Sequence, residues 1–249
     1  MSAGVKPSSR LEVLVERSAY APSNAIRLPI LLGPLRGYGW SPDSGGKLAR
    51  IYLGTYERQQ TRLFVDLIRP GDVVFDLGAA AGYYTLLAAK LVGASGKVLA
   101  CEPAARNLAF LRQHVLGNRL MQATVLPIAL GGENGTARFR TGTGTGTGQL
   151  SSVGSTVVTV RRLDDLANEQ RLWPGFIKLD VEGSELAVLQ SGEETIRRCR
   201  PTIFLSTHNS KQPGVRTACL ELLTSWNYEL QSIERGEGAS LADWLCQAR

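Results

Sequence analysis

The stretch Val73-Val74-Phe75-Asp76-Leu77-Gly78-Ala79-Ala80-Ala81-Gly82-Tyr83-Tyr84 constrains the fold of this chain more than any other. Val73, Val74 and Phe75 make a short apolar, β-prone run, as expected of a strand covered on both faces. Asp76 closes the run. Gly78 and Gly82 flank three alanines, so nothing bulky projects into the turn, and Tyr83 and Tyr84 open a helical pattern. Such a backbone lets a ligand lie close to it, while the new helix turns its N–H groups and positive dipole end toward the ligand. Strand, tight turn and helix in this order belong to an open α/β sheet, which binds ligands beyond the carboxyl ends of its strands.

The spacing selects among ligands. A dinucleotide fingerprint needs G-x-G-x-x-G directly after the strand. Here the stretch reads D-x-G-x-x-x-G, without the middle glycine that admits a pyrophosphate, which disfavours a nicotinamide enzyme. Asp76 sits instead at the strand tip, where it can face a cation or an amine. One βα unit later, Lys97-Val98-Leu99-Ala100-Cys101 reads as the next strand and ends in Glu102, an acid placed to accept two ribose hydroxyls. A sulfonium, an aminocarboxylate and a ribose are the parts of S-adenosylmethionine, and acid, turn and acid together suit it.

These residues, with Gly71-Asp72, Thr85, Pro103, Ala129-Leu130-Gly131, Arg162-Leu163-Asp164-Asp165-Leu166 and Ile177-Lys178-Leu179-Asp180-Val181-Glu182-Gly183-Ser184-Glu185, resemble the FkbM family of S-adenosylmethionine-dependent methyltransferases over residues 53–208. The last block is the most specific. The resemblance implies a doubly wound, Rossmann-like methyltransferase sheet with an inserted β-hairpin and an N-terminal extension, divided into residues 1–46 and 47–249. It implies a cofactor site made of Glu57, Asp76, Gly78, Ala79, Gly82, Tyr83, Glu102, Pro103, Ala129, Ser152 and Asp180. Glu57 closes a Gly54-x-Tyr56-Glu57 element that matches the family, and Ser152 stands where relatives often carry serine. Ala80-Ala81 departs from the family, which usually has Asn and an aliphatic residue there.

A length of 249 residues and a hydrophobic fraction of 43% fit one α/β domain. Five prolines punctuate the first 46 residues, read as a lid or dimer arm over the cofactor side. A helix continues through Leu63, Phe64, Leu67 and Ile68, and others are expected over 83–91, 104–116 and 216–226. Further strands are expected over 123–129, 176–180, 202–206 and 228–233. Ile128 and Ala129 should form an apolar wall for an adenine. Residues 137–140 and 157–161 read as the inserted hairpin. Between them Thr141 to Gly148 alternates Thr and Gly, a low-complexity stretch read as a mobile loop near the substrate mouth; it lacks the lysine of a phosphate-binding P-loop. No seventh strand is evident, and residues 241–246 look helical.

Cys101, Cys199, Cys219 and Cys246 are far apart and show neither zinc-site nor disulfide spacing. No apolar run approaches the roughly 18–20 residues that span a bilayer, and the N-terminus lacks a signal-peptide core, so a cytoplasmic location is expected. Much of the net charge of +6 lies in Arg161-Arg162 and Arg197-Arg198 with Arg200, plus scattered N-terminal arginines, and no basic stretch is interleaved with aromatics, which reads as a solvated surface.

Methyl transfer to an alcohol requires that the acceptor lose its proton during attack. His208, at the tip of the fifth strand, is the candidate base; His114 lies within a helix and is the poorer choice. Asp180 is placed to orient the acceptor or His208, or to contact the cofactor. Asp180, Glu182 and His208 also offer donors that magnesium or manganese accepts, though their spacing in sequence fixes no geometry. The resemblance implies O-methylation of a sugar or secondary metabolite. The expected partner is a small-molecule or glycan acceptor, with a second copy of the chain as the candidate protein partner and no nucleic acid. Enzymes that methylate base amines usually carry (D/N)-P-P-(Y/F) where this chain has Asp180-Val181-Glu182-Gly183. A non-catalytic cofactor-binding module is the alternative of a different class.

Overall fold

The computed structural model describes residues 26–140, 148–233 and 241–249. The Thr-Gly repeat up to residue 147 and the first 25 residues of the N-terminal extension lie outside them. Leu28–Pro29 (β1) and Gly39–Trp40 (β2) pair antiparallel, and a short helix, Leu48–Tyr52 (α1), follows. The chain then enters Arg58–Leu67 (α2), Val73–Leu77 (β3), Tyr83–Val92 (α3), Lys97–Cys101 (β4), Ala105–Gly117 (α4) and Ala123–Leu126 (β5). A second group of strands comes next: Ile128–Leu130 (β6), Gly135–Arg140 (β7), Gln149–Leu150 (β8) and Thr156–Arg161 (β9). Leu163–Gln170 (α5), Phe176–Leu179 (β10), Glu185–Ser191 (α6), Glu193–Cys199 (α7), Thr202–His208 (β11), Val215–Ser225 (α8), Tyr228–Ile233 (β12) and Leu241–Ala248 (β13) complete it.

The main sheet has the order β12-β13-β11-β10-β3-β4-β5. Neighbouring strands from β11 through β5 are parallel, and β13 is antiparallel to both its neighbours. The order reverses between β3 and β10, which makes the crevice beyond their carboxyl ends the topological switch point.

The period-two alternation of the strands divides the core. Val74, Val98, Phe176 and Phe204 pack with Phe64 of α2, Leu86 of α3 and Leu111 of α4. Phe75, Leu99, Ile177, Ile203 and Leu205 face the other way, toward Leu166 of α5, Val188 of α6, Ile196 of α7 and Leu223 of α8. Helices on both faces explain why these strands read as continuous apolar runs. Among the described residues, no helix is long and apolar enough to cross a membrane.

Two sequence expectations are corrected. Residues 241–246 are not helical: they belong to β13, the antiparallel seventh strand. Ala242 and Asp243 are poor strand formers, but pairing of both with β11, pairing of Asp243 with β12, and packing override that preference. Asp243 is wholly buried there and accepts from Ser206 Oγ at 2.8 Å and Gln60 Nε2 at 2.9 Å. The single strand expected over 123–129 is two strands in different sheets. Pro127 between them has no N–H for a ladder; β5 pairs with β4, while β6 pairs with β9. The inserted hairpin forms as β7 and β9, with Ala137 opposite Val158. It does not complete the edge of the main sheet but belongs to a separate sheet, β6-β9-β7-β8.

Residues 30–44 are tied to the domain. Ile30, Leu35 and Trp40 are buried in the cluster that holds Phe64 and Leu86. Trp40 stacks on His114 at a centroid distance of 4.0 Å. Ser41 N–H donates to His114 Nε2 at 2.9 Å, so the ring proton is on Nδ1, which donates to the Ala81 carbonyl at 2.8 Å. His114 thus joins the N-terminal segment to the turn after β3. Burial lowers its pKa to about 4, only partly opposed by the Ala81 carbonyl. In the unfolded chain the same ring titrates near its ordinary value, so the unfolded state takes up the proton first as pH falls. The contribution is intact above about pH 6.5 and is lost toward pH 4, up to about 3 kcal/mol. Urea denaturation should therefore show wild type losing more stability than His114→Phe between about pH 7.5 and about pH 5; equal losses would remove His114 as the acid-sensitive joint.

Candidate active site

Beyond β3 the chain reverses at Gly78, whose φ is +85°. A Cβ there would lie 1.9 Å from the Asp180 carbonyl oxygen, so only glycine allows the ends of β3 and β10 to approach this closely. Ala80 follows in the left-handed region, and Gly82, also with positive φ, precedes α3. The crevice has two halves. One, of about 580 Å³, is lined by Glu102, Pro103, Ile128, Ala129, Phe139 and Leu150 among others. The second, of about 1130 Å³, is lined by the turn residues, Tyr56, Glu57, Tyr83, Lys178 and His208. Gly78, Ala80, Asp180 and Glu182 line both.

Glu102 lines the first half, just beyond β4. Its Oε2 accepts from Ala80 N–H at 2.8 Å, and its Oε1 accepts from Ala104 N–H at 2.9 Å and Asn107 Nδ2 at 3.5 Å. Burial pushes its pKa up to about 7, against these bonds, which pull it down. Pro103, Ile128, Ala129, Phe139 and Leu150 give this half an apolar face, while Asp180, Glu182 and Ser184 line it with polar groups. Phe139, delivered by β7, was not singled out from sequence; its only local signal is an aromatic residue in the middle of the hairpin strand.

Asp76 does not face the crevice as expected. It is 1% exposed and lines neither half. Lys178 lies directly opposite it in the β3–β10 register, so both side chains leave the same face. Lys178 Nζ is 3.4 Å from Asp76 Oδ1, an ion pair rather than a well-formed hydrogen bond. Thr85 Oγ1 donates to Asp76 Oδ2 at 2.5 Å. Lys178 Nζ also donates to the Gly78 carbonyl at 3.0 Å and is 3.4 Å from Asp180 Oδ2. Asp76 therefore acts through Lys178 on the turn. A lysine between Ile177 and Leu179 in a buried strand is the sequence signal that could have revealed this.

Glu57 adopts a left-handed conformation before α2 and accepts from Tyr84 Oη at 2.6 Å. Tyr83 lies beside it with its hydroxyl 3.3 Å from Thr61 Oγ1. Ser152, by contrast, is exposed and lines neither half of the crevice.

At the other wall, β11 runs on to His208. Its Nδ1 is 2.7 Å from Glu185 Oε1, and its Nε2 is 3.5 Å from Asp180 Oδ1 and 3.4 Å from Glu182 Oε1. Burial alone would lower the pKa of the ring. The hydrogen bonds to Glu182 and Glu185 and the charge of Asp180 outweigh it and raise it to about 10. As it stands the ring holds its proton at neutral pH, which is not the state of a general base; the adjacent carboxylates are the acceptors. Glu185 reads from sequence as an acid suited to a helix start. The fold instead buries its carboxylate completely against His208.

The apolar face of the first half, with the Glu102 carboxylate beside it, suits an adenosine. The second half, lined by Glu57, Asp180 and Glu182, suits the sulfonium and ammonium end of S-adenosylmethionine. The comparisons with known proteins point to the same cofactor. The model of the methyltransferase FkbM domain matches residues 76–232. An FkbM methyltransferase from Methylobacillus flagellatus KT is similar with a TM-score of 0.53 and 18% identity, over 80% of this chain and 52% of that one. This chain thus spans about half the length of that protein. A putative rRNA methylase from Clostridium thermocellum has a TM-score of 0.53 at 11% identity, over 77% and 94% of the two chains. An rRNA methylase from Streptococcus thermophilus has a TM-score of 0.50 at 12% identity, over 76% and 94%. At such identities the likeness to solved structures is one of fold. The family model covers well over half of the chain, which belongs to the FkbM family of S-adenosylmethionine-dependent methyltransferases.

Proposed function

We propose that the protein methylates a hydroxyl of a small molecule or glycan, of the sugar or secondary-metabolite class. The observation that carries this reading is that Asp180, Glu182 and His208 line the same cavity as the turn after β3. In this reading Glu102 accepts from the ribose hydroxyls, and Pro103, Ile128 and Ala129 flank the base. The backbone of Gly78, Ala79 and Gly82, with Tyr83 and Glu57, holds the aminocarboxylate end. S-adenosylmethionine supplies an electrophilic methyl and a neutral thioether leaving group. The chain supplies alignment and a place for the proton. Both ring nitrogens of His208 are engaged by carboxylates, so the proton of the hydroxyl passes to Asp180, and His208 orients that carboxylate. Asp180-Val181-Glu182-Gly183 stands where enzymes that methylate base amines usually carry (D/N)-P-P-(Y/F), which supports a small acceptor over RNA or DNA. The exposed Leu28, Leu31, Leu32 and Leu53 support a dimer-arm reading of the N-terminal segment.

The test is an acceptor screen of glycosides and polyphenols with S-adenosylmethionine, read by mass spectrometry and NMR for a methyl ether. Asp180→Asn should lower kcat by about 10²-fold or more. It should leave the affinity for S-adenosylhomocysteine, which carries no sulfonium, within a few-fold. Methyl transfer to nitrogen or to RNA would sink the reading. Normal cofactor binding without turnover on any acceptor would favour the non-catalytic module.

A further inference from the structure

Asp180, Glu182 and His208 come from two strand ends, and each turns one donor atom to a common point. Their ligand atoms all lie within 4.8 Å of one another. The two carboxylates are held from behind. Asp180 Oδ2 faces Lys178 at 3.4 Å while Oδ1 faces His208, and Glu182 Oε2 faces Lys211 at 3.9 Å while Oε1 faces His208. On a small divalent cation with bonds of about 2.1 Å, ligands at right angles lie about 3.0 Å apart and opposite ligands about 4.2 Å apart. The 3.4 and 3.5 Å separations from His208 Nε2 differ from the right-angle spacing by tenths of an ångström, within the reach of side-chain rotation.

A second observation points the same way. The far nitrogen of the ring, Nδ1, is 2.7 Å from Glu185 Oε1, and Glu185 is 0% exposed. The same oxygen accepts from Gly183 N–H at 2.9 Å. A carboxylate that accepts from Nδ1–H and fixes the ring with Nε2 outward is the usual outer partner of a metal-bound histidine. One imidazole and two carboxylates form a donor set for a hard or borderline divalent cation, not for a thiophilic one.

We propose that Asp180, Glu182 and His208 bind a divalent cation, Mn²⁺ or Mg²⁺, with Glu185 as the positioning residue behind His208. The open positions of the cation face the cavity shared with the turn after β3, where they receive the hydroxyl of the acceptor and raise its acidity. This role rests on the O-methyltransferase reading; the cation site itself does not. With the cation bound, the hydroxyl proton leaves to solvent water instead of to Asp180, the new bond joins the acceptor oxygen to the methyl carbon, and the carbon–sulfur bond of the cofactor breaks.

The 249-residue chain, stripped with chelator and titrated with Mn²⁺ and followed by the electron paramagnetic resonance signal of free Mn²⁺, tests the site. Saturable uptake of a single ion per chain is expected, with displacement by excess Mg²⁺. Asp180→Asn and Glu182→Gln should each weaken uptake at least tenfold, and Glu185→Gln about 10–100-fold. Thermal melting and S-adenosylhomocysteine binding confirm that each variant is folded. No uptake by wild type, or uptake unchanged in both ligand variants, overturns the proposal. Uptake as expected with methyl transfer to nitrogen would retain the site and overturn the hydroxyl role. A cation requirement for methyl ether formation supports both.

Discussion

Lys178→Met is expected to destabilise the protein by about 3–5 kcal/mol, because it leaves buried carboxylate charge without its partner. Lys178 is 3% exposed and Asp76 1%. Burial pulls the pKa of the ammonium down, but Asp180, then Asp76, outweigh it and hold it above the ordinary lysine value. Methionine preserves much of the stem and removes the charge, so the loss reports electrostatics more than volume. In a chain of this size the melting temperature should fall by roughly 10 °C. The Gly78 carbonyl also loses its donor, so S-adenosylmethionine binding should weaken as the turn loosens. Adding Asp76→Asn removes the orphaned charge, and the double variant should be less unstable than the sum of the two single changes. Urea denaturation of the four proteins measures this. A Lys178→Met protein within about 1 kcal/mol of wild type would mean that the pair does not hold the turn.

The second large effect is on the cofactor. Hydrogen bonds to a charged acceptor contribute about 1.5–3 kcal/mol each. If Glu102 accepts from both ribose hydroxyls, Glu102→Ala should weaken S-adenosylmethionine binding by about 10²-fold or more. The substitution also frees the N–H groups of Ala80 and Ala104, which the carboxylate holds in place. The pH dependence separates these roles. With its pKa raised to about 7 by burial, Glu102 is ionised above that pH and protonated below it. An ionised carboxylate accepts from both hydroxyls, and a protonated one gives up part of that capacity. Affinity should be highest above about pH 7 and should fall as pH drops through it, whereas Glu102→Gln should bind weakly with no such fall. Calorimetric titration at about pH 6 and about pH 8.5 checks both. A wild-type affinity that is flat across this range would detach Glu102 from the ribose.

The parallel half of the sheet was legible because its signals are local. Val73–Leu77, Lys97–Cys101 and Phe176–Leu179 are buried on both faces, so each appears as an apolar run ended by a small or acidic residue. The helix starting at Tyr83 follows a glycine turn whose geometry no other residue tolerates. β13 was not legible. Ala242 and Asp243 are strand residues only because β11 and β12 lie on either side. The break at Pro127 was visible as a residue, but its consequence, the transfer of the chain to a second sheet, depended on β9.

The crevice itself was determined by sequence: acids and glycines end the apolar runs, and all parallel strands end at one edge. Which acid lines the crevice was decided only by the tertiary structure. Asp76 and Lys178 have the same parity on neighbouring strands in register, so they meet on one face and neutralise each other beneath the turn. Glu102 and Asp180 lie one residue beyond their strands, past the ladder, and line the crevice. Glu185 is a helix-start acid by sequence and the buried support of His208 by fold, because α6 packs against the end of β11. Local pattern sets where charge occurs along the chain; register and packing set which charges meet.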